Sequence, residues 1–357
     1  KSERPAVLFG QQVWQSRIHI EANRFVKELM IPAYTNGASR GMIDSNSPYS
    51  FDRTRGDAFK DADLLMIIGT PFDFRMGYGG RISKDIKLIQ IDQDYSNIGK
   101  NRDIDIGLTG HPGTIMLQII NKMKDVYSKE IKDKRSLWIK SLNVKEDEKY
   151  KKLLPIFTND STPIHPYRVA YELNEFLNDD TIFIGDGGDV VTISAQAVRP
   201  RNPGQWMDPG ALGSLGVGTG FALSAKLANP NKEVLCYYGD GSFGMTAFDM
   251  ETADRFGLPF IAVIGNNSAM NQIRYGQLAK YGQQKGDIAN KLGDMEFSKF
   301  TSLWGGLGLD VKDPNKIQSA LVEARKFVKE NRKSAIVNIW VDPNEYAPGT
   351  KAQTMYK

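Results

Sequence analysis

The chain has 357 residues, 41% of them hydrophobic and 25% charged, which is enough for two or three domains with buried cores. Lysine and arginine number 46 against 42 acidic residues, and the net charge of +4 gives no reason to expect a nucleic-acid partner. A single cysteine excludes a disulfide framework. The sequence contains neither a signal-peptide pattern nor an apolar run of membrane-spanning length, so we expect a cytoplasmic protein with no membrane partner.

The first part of the chain predicts an α/β domain with an open parallel sheet over residues 1–120. A helical pattern over residues 20–30 follows the first of several apolar segments of strand length. These segments cover residues 5–9, 31–34, 63–68 and 87–92. Alternation of strands and helices is typical of a parallel sheet with helices on its faces. No Gly-x-Gly-x-x-Gly pattern follows the first strand, so the domain does not carry the usual dinucleotide-binding motif.

Composition changes over residues 121–160, where charged residues of both signs surround a few apolar ones. We predict a solvated linker helix with a narrow buried stripe, and a basic anion-binding face is the alternative. The apolar residues of this segment are Val126, Ile131, Leu137, Ile139 and Leu142. A second α/β domain with a mainly parallel sheet is predicted over residues 161–342, followed by a polar tail over residues 343–357.

Two loops of the second domain carry the main functional prediction. The segment Tyr238-Gly-Asp-Gly-Ser242 follows an apolar run, and Gly265-Asn-Asn-Ser-Ala269 follows the next apolar run along the chain. Residues 246–256 between them have helical spacing, with Thr246 and Asp249 in the positions of a capping box. A strand, a helix and a strand in this order form a unit with parallel strands. Both loops then lie at the carboxyl edge of the sheet, where open α/β sheets bind ligands.

The residue types in these loops suit a magnesium ion and a diphosphate. Asp240 offers a carboxylate, Asn267 offers an amide oxygen, and a nearby main-chain carbonyl can supply a third oxygen. Mg²⁺ takes its remaining oxygens from water and phosphate. Gly241 permits close approach of the backbone, and Ser242 with the following helix start offers donors to anionic oxygen. Two ordinary turns are the alternative, because Gly-Asp-Gly and Asn-Asn are common turn sequences.

Gly239-Asp-Gly-Ser242 followed by Asn266-Asn267 resembles the thiamine-diphosphate motif of the decarboxylase and acetolactate-synthase superfamily. The resemblance implies that Asp240, Asn267 and the Ala269 carbonyl bind Mg²⁺. The segment Gly213-Ser-Leu-Gly216 resembles the family segment that bends the cofactor. In that segment the Gly213 carbonyl meets the aminopyrimidine and Leu215, where many relatives have Met or Ile, supports the thiazolium ring.

Other site residues follow from the same resemblance. The glycine-rich loop over residues 185–189 ends a third strand, and its family counterpart flanks the diphosphate. Residues 270–282 are expected to line the reaction space. The predicted cofactor-binding residues are Gly187, Gly188, Asp189, Gly213, Leu215, Gly239, Asp240, Gly241, Ser242, Asn267, Ala269 and Met270. The predicted catalytic residues are Gly213, Leu215, Gln272 and Gln277.

The first domain resembles the central domain of the same superfamily, where an ADP or FAD moiety is often held. Asp92, at a strand end, can accept from a ribose hydroxyl, and Gly69 begins the loop after another strand. Arg55 and Arg75 can meet phosphate or stack on a base. The alternative is that both arginines are solvated and that Asp92 caps a turn, since some relatives keep this domain without a ligand.

The resemblance implies a thiamine-diphosphate-dependent enzyme of the 2-hydroxyacyl-CoA lyase and oxalyl-CoA decarboxylase branch, acting on a small 2-oxo acid or acyl-CoA. The lyase reaction splits a 2-hydroxyacyl-CoA into formyl-CoA and an aldehyde or ketone. Acetolactate synthesis from pyruvate is the alternative reaction.

In this superfamily a glutamate on an N-terminal pyrimidine-binding domain acts across a subunit interface, so a homodimer or homotetramer is expected. The sequence matches only the central and C-terminal domains. The chain is therefore expected to be part of a longer enzyme or to receive that domain from another polypeptide. A non-catalytic cofactor-binding subunit is the alternative of another class. The C-terminal tail is expected either to fold over the active site or to fray.

Overall fold

The structure is a computed structural model that describes residues 2–124, 127–345 and 347. The chain divides into two compact units. The first comprises residues 1–153 and 200–206, and the second comprises residues 154–199 and 207–357. Most of the predicted C-terminal lid, from residue 348 onwards together with residue 346, lies outside the described residues. In the described part of the chain, no helix has both the length and the apolar character needed to cross a lipid bilayer.

The first unit contains a five-stranded sheet in the order β2-β1-β3-β4-β5, and every pairing in it is parallel. The strands are β1 (Pro5–Phe9), β2 (Ala33–Thr35), β3 (Leu64–Ile68), β4 (Lys87–Asp92) and β5 (Ile106–Thr109). The helices are α1 (Gln11–Gln15), α2 (His19–Leu29), α3 (Arg55–Asp61), α4 (Pro112–Met123) and α5 (Lys129–Phe157), the last residues of which belong to the second unit. The predicted open parallel sheet is confirmed.

The inner strands of this sheet are buried on both faces. Ala6 and Leu8 pack into one hydrophobic core, while Val7 and Phe9 pack into another. Because successive side chains of a strand point to opposite faces, the alternation places one core on each side of the sheet. Burial on both faces explains why these strands are continuous apolar runs in the sequence.

Helix α5 is the predicted charged helix, but its buried stripe differs from the prediction. Trp138 and Leu142 are buried, and the Trp138 Nε1–H donates to the Pro5 carbonyl at 3.0 Å. Ile139 is also buried, as predicted, whereas Leu137 is 69% exposed. The prediction was wrong for Leu137 because residues four apart share a helix face, and position 137 lies away from the 138–142 face. Val126 lies outside the described residues.

The second unit contains a six-stranded sheet in the order β10-β11-β9-β8-β6-β7, in which β10, β11, β9, β8 and β6 pair in parallel. The strands are β6 (Thr181–Asp186), β7 (Trp206–Met207), β8 (Glu233–Gly239), β9 (Ile261–Asn266), β10 (Leu307–Val311) and β11 (Ala335–Trp340). The helices are α6 (Pro166–Phe176), α7 (Asp189–Ala197), α8 (Gly218–Ala228), α9 (Asp240–Thr246), α10 (Asp249–Arg255), α11 (Asn271–Gly286) and α12 (Ile317–Asn331). A mainly parallel α/β sheet is confirmed here as well.

The crossover between β8 and β9 differs from the single helix predicted over residues 246–256. It consists of two short helices, α9 and α10, and Thr246 is the last residue of the first one. The residue before α10 is Phe248, which makes no side-chain capping hydrogen bond. Helix formation starts at Asp240 itself, where an acidic side chain in the first turn is favourable. The predicted capping box of Thr246 and Asp249 is therefore wrong.

Candidate cofactor site

Three strand ends of the second sheet meet at one edge. Strands β9, β8 and β6 are neighbours, so the loops at their carboxyl ends lie side by side. Gly187, in the loop after β6, has a φ of +141°. A Cβ atom at this position would lie 2.6 Å from Val190 Cγ2 and 3.2 Å from the main-chain nitrogen of Gly239. Only glycine allows this approach of the first loop to the second.

The carboxylate of Asp240 is held by main-chain groups of its own loop and of the loop after β9. Its Oδ2 accepts from the Asn267 N–H at 3.2 Å and the Ala269 N–H at 3.1 Å, and its Oδ1 accepts from the Gly241 N–H at 2.8 Å. Burial raises the pKa of Asp240 to about 6, and the main-chain donors act against that rise. A carboxylate in this environment is stabilised by a nearby cation.

The side chains of Asp240 and Asn267 converge on one amide. The Ala269 N–H lies 3.1 Å from Asp240 Oδ2 and 3.2 Å from Asn267 Oδ1, so both oxygens approach the same nitrogen. In the described part of the chain no three His, Cys, Asp or Glu side chains cluster as metal ligands. A cation at this edge would therefore take one carboxylate, amide or main-chain oxygens, and oxygens of a ligand, which is the donor set that suits Mg²⁺.

Gly241 and Ser242 are packed closely against their surroundings. A Cβ atom on Gly241 would lie 2.3 Å from Met270 Sδ, so the Met270 side chain covers this glycine. The Ser242 hydroxyl lies 2.6 Å from the Asp186 carbonyl and 2.9 Å from the Gly239 carbonyl. Its proton is therefore engaged between the ends of two strands. Ser242 can therefore donate to an anionic ligand only through its main-chain N–H.

Asp186, which the sequence analysis did not select, holds the loop that contains Gly213 and Leu215. Its carboxylate accepts from the Gly216 N–H at 3.1 Å and the Gly218 N–H at 2.8 Å. The side chain is fully buried, and this burial raises the pKa of Asp186 despite the two donors. Gly213 has a left-handed conformation with φ of +62°, and Leu215 is half-buried. The sequence does contain a signal for this residue, because Gly185-Asp-Gly187 repeats the Gly-Asp-Gly pattern at a second strand end.

The two predicted catalytic glutamines have different surroundings. Gln272 lies against the loop after β6, because a Cβ atom on Gly188 would lie 1.8 Å from its Oε1. Gln277 lies further along α11, where its Oε1 accepts from Asn290 Nδ2 at 2.9 Å. The structure thus brings Gln272 to the predicted site and ties Gln277 to the turn after α11.

Asn271 and Asp189 both form hydrogen bonds with the start of the C-terminal tail. The Asn271 Nδ2 donates to the Pro343 carbonyl at 2.9 Å, whereas its Oδ1 is buried and has no hydrogen-bond partner among the residues that the structure describes. Asp189 starts α7, and its carboxylate accepts from the Ala347 N–H at 3.4 Å. Two residues at the start of the predicted C-terminal tail, Pro343 and Ala347, therefore contact residues beside the predicted site.

Asp92 and Gly69 also lie at strand ends, in the first sheet. The Gln12 side chain connects them, because a Cβ atom on Gly69 would lie 2.7 Å from Gln12 Cβ and the Gln12 Nε2 donates to Asp92 Oδ1 at 2.7 Å. Asp92 is fully buried, and its Oδ2 has no hydrogen-bond partner in the described part of the chain. A buried acceptor without a donor is costly unless a ligand satisfies it.

Arg55 lies within electrostatic reach of three other guanidinium groups. Its pKa is lowered to about 10, first by burial and then by repulsion from Arg40, Arg81 and Arg75. Arg75 is paired with Asp73, with Nε 3.0 Å from Oδ2. Among the described residues Arg55 makes no ion pair. Together these four guanidinium groups create a positive potential that attracts an anion such as phosphate.

Comparison with known proteins places both units in one enzyme family. Residues 1–119 match the family described as thiamine pyrophosphate enzyme, central domain. Residues 186–339 match the family described as thiamine pyrophosphate enzyme, C-terminal TPP binding domain. The second match begins at Asp186 and includes both loops that form the candidate site.

Similar curated proteins include lyases and acetolactate synthases. The chain is 32% identical to 2-hydroxyacyl-CoA lyase 2 of Danio rerio over 98% of its own length and 56% of that protein. It is 29% identical to 2-hydroxyacyl-CoA lyase 2 of Homo sapiens over 99% of its length and 55% of that protein. The acetolactate synthase large subunit IlvG of Mycobacterium tuberculosis is 30% identical, with 97% of this chain and 61% of that protein covered. The chain thus spans little more than half the length of the lyases it matches.

Two glycines of α8 provide a test of the packing beneath this site. A Cβ atom on Gly218 would lie 2.5 Å from Tyr238 Cε1 and 2.8 Å from Asp186 Cβ, whereas one on Gly220 would meet nothing within 4 Å. We expect Gly218→Ala to lower the free energy of unfolding by about 1–3 kcal/mol through overpacking. Gly220→Ala should instead raise it by about 0.5–1 kcal/mol through helix propensity. Urea unfolding of both variants measures the difference, and equal stabilities would contradict the packing described here.

Proposed function

Because this chain belongs to the thiamine pyrophosphate enzyme family, we propose that its second unit binds the diphosphate end of thiamine diphosphate through one Mg²⁺ ion. The observation that carries the proposal is the shared Ala269 N–H, which lies 3.1 Å from Asp240 Oδ2 and 3.2 Å from Asn267 Oδ1. The two side chains and the Ala269 carbonyl would bind the ion. Water and the diphosphate would complete its coordination.

The remaining residues of the site would hold and orient the cofactor. Gly187, Gly188, Gly239 and Gly241 have no side chain, so main-chain groups can approach anionic oxygens closely. Asp186 fixes the loop at its Gly216 and Gly218 amides. That loop would place the Gly213 carbonyl and the Leu215 side chain against the rings of the cofactor, and Met270, over Gly241, would close one wall.

Gln272 and Asp189 are further proposed contacts. Gln272 lies against Gly188 and is therefore close to where the diphosphate would lie. A role for Gln277 in the reaction stays a prediction, and its bond to Asn290 places it less directly at the site. When bound, thiamine diphosphate supplies a carbanion that adds to a carbonyl and accepts the electrons of the adjacent C–C bond.

The metal proposal predicts that Asp240→Asn lowers the affinity for thiamine diphosphate in the presence of Mg²⁺ by about a hundredfold, or ~2.7 kcal/mol. The substitution keeps the shape of the side chain and removes the charge that a divalent cation requires. Isothermal titration of the chain with thiamine diphosphate and Mg²⁺ measures the affinity.

Asp249→Asn is the matched control, because Asp249 lies in the next helix and is exposed. Its affinity should equal that of the unaltered chain. Unchanged affinity in Asp240→Asn would remove Asp240 from the metal site, and no binding to the unaltered chain would contradict the proposed cofactor.

We propose that the complete enzyme is a 2-hydroxyacyl-CoA lyase that forms formyl-CoA and an aldehyde or ketone. Similarity to lyases over 98% of this chain supports the assignment. Acetolactate synthesis from pyruvate remains the second candidate, because acetolactate synthase IlvG is similar over 97% of the chain. Since the chain spans 56% of the first lyase, we propose that a further N-terminal domain with a proton-transferring glutamate completes the site, within a homodimer or homotetramer. A cytoplasmic location stays a prediction.

The lyase reaction and acetolactate synthesis form different products, so an assay can distinguish them. The chain is assayed alone and together with a separately produced N-terminal domain of the Danio rerio lyase. We expect formyl-CoA from a 2-hydroxyacyl-CoA only when both polypeptides are present. Acetolactate formation from pyruvate instead would favour the synthase. Cofactor binding without turnover of either substrate would favour a non-catalytic cofactor-binding subunit, and full turnover by the chain alone would contradict the need for a second domain.

We further propose that the first unit binds a nucleotide, ADP or FAD. Asp92 Oδ2 is a buried acceptor without a partner in the described chain, which suits a ribose hydroxyl. The positive charge around Arg55 suits the phosphates, and Arg75 would contribute to it although it is paired with Asp73. Gly69 would let the backbone approach the ligand.

The nucleotide proposal predicts that Arg55→Ala weakens ADP binding about tenfold, or ~1.4 kcal/mol, because a guanidinium contact to phosphate is lost. Titration calorimetry with ADP, and fluorescence with FAD, measure the two affinities. Arg24→Ala serves as the control, since Arg24 is exposed and pairs with Glu28 in its own helix. If neither nucleotide binds the unaltered chain, the proposal is wrong.

A further inference from the structure

A chain of hydrogen-bonded side chains crosses three strands behind the candidate metal loop. Asp310 lies on β10, Asn338 on β11 and Asn266 at the end of β9. The Asn338 Nδ2 donates to Asp310 Oδ1 at 2.7 Å, and the Asn266 Nδ2 donates to Asn338 Oδ1 at 3.1 Å. Asn338 is fully buried and Asn266 is 1% exposed. We refer to these three side chains as the amide relay.

The relay ends on the loop that contains the proposed metal ligands. Asn266 Oδ1 accepts from the Ser268 N–H at 3.2 Å. Ser268 lies between Asn267 and Ala269 and has a left-handed backbone with φ of +55°. A non-glycine residue in this conformation costs about 1–2 kcal/mol unless its surroundings hold it. The hydrogen bond to Asn266 therefore restrains the turn that contains the two proposed metal ligands, Asn267 and Ala269.

The surroundings of the relay fix the direction of its hydrogen bonds. The Trp340 Nε1–H, which can only donate, lies 3.2 Å from Asp310 Oδ1, and the Ser298 hydroxyl donates to the other carboxylate oxygen. Asp310 therefore acts as the acceptor, so Asn338 presents its NH₂ to Asp310 and its oxygen to Asn266. The Met295 carbonyl, at 2.8 Å from Asn266 Nδ2, favours the same orientation of Asn266. As a result, the oxygen of Asn266 is directed at the Ser268 N–H.

We infer that Asn338 and Asp310 are positioning residues for the metal-binding loop, acting through Asn266 and Ser268. The inference rests on the proposed function of Asp240 and Asn267. In the described part of the chain neither positioning residue makes a hydrogen bond to Asp240, which binds the loop through the Asn267 and Ala269 N–H groups. The loop is thus held by the relay at Ser268 and by Asp240, whose carboxylate also interacts with the Ser268 N–H, while the Ser268 hydroxyl donates to Asp294 Oδ1 at 2.7 Å. Loss of the relay should let the two ligand oxygens separate.

The test uses the whole chain and two substitutions. Asn338→Val removes the relay from its middle with a side chain that suits a strand. Asp310→Ala removes the acceptor end of the relay at an exposed position, which disturbs the core less than a change at the buried Asn338. Asp310→Asn keeps one acceptor oxygen and is the conservative variant. Asp313→Ala is the control, because Asp313 caps the following 3₁₀ turn at the Asn315 N–H and lies outside the relay.

Two measurements separate positioning from stability. Nuclear magnetic resonance with ¹⁵N-labelled serine reports the Ser268 amide without any cofactor, and titration calorimetry reports the affinity for thiamine diphosphate with Mg²⁺. We expect Asn338→Val to shift the Ser268 amide proton resonance and to weaken cofactor affinity about tenfold. Asp310→Ala should do the same to a smaller degree, with some loss of stability in urea unfolding because the buried Asn338 and Ser298 donors lose their acceptor. Asp310→Asn should restore the amide resonance, the affinity and the stability.

An unchanged Ser268 amide in Asn338→Val would overturn the inference. So would a shifted amide with unchanged affinity, because the relay would then support the fold alone. If the unaltered chain binds no thiamine diphosphate while the Ser268 amide still responds, the proposed function fails and the positioning role fails with it.

Discussion

The hydrogen bonds between the Asp240 carboxylate and the main chain of the next loop are the constraint on which the second unit depends. They form only because β8 and β9 are parallel neighbours whose carboxyl ends lie at the same edge of the sheet. Burial raises the pKa of Asp240 to about 6, and the main-chain donors only partly offset that rise. At the proposed site a divalent cation would favour the ionised form further. Close packing at Gly187 and Gly241 stabilises loops at the same edge of the sheet. The Asp186 carboxylate does so as well, because it accepts from the Gly216 and Gly218 N–H groups.

The first unit follows the same physical pattern with different chemistry. Its buried parallel strands also end in a glycine and an acidic residue, Gly69 and Asp92. This unit also contains a group of arginines, in which Arg40, Arg81 and Arg75 lie within electrostatic reach of Arg55. A ligand with hydroxyl donors and phosphate groups complements both features. Each unit therefore has glycine and acidic residues at the carboxyl edge of its own sheet, the edge where open α/β sheets bind ligands.

The sequence predicted the parallel sheets and the two principal loops because those features are local. Strands buried on both faces are continuous apolar runs, and Gly-Asp-Gly and Asn-Asn mark the ends of two of them. Features that depend on contacts between distant residues could not be predicted in this way. The bond between Asn266 and Asn338 joins residues 72 positions apart, and that between Asp186 and Gly218 joins residues 32 apart. The exposed face of Leu137 was missed because the helix phase over residues 121–160 is set by packing, which a mixed pattern of charges does not define.

The most direct test of a magnesium site at this edge is to locate the ion itself. Crystals of the chain grown with Mn²⁺ and thiamine diphosphate permit measurement of the anomalous scattering of manganese, which can replace magnesium at oxygen ligands. The account predicts one strong anomalous peak within about 2–2.4 Å of Asp240, Asn267 and the Ala269 carbonyl, with a diphosphate beside it. A peak elsewhere on the chain, or a bound diphosphate whose metal does not contact Asp240, would contradict it.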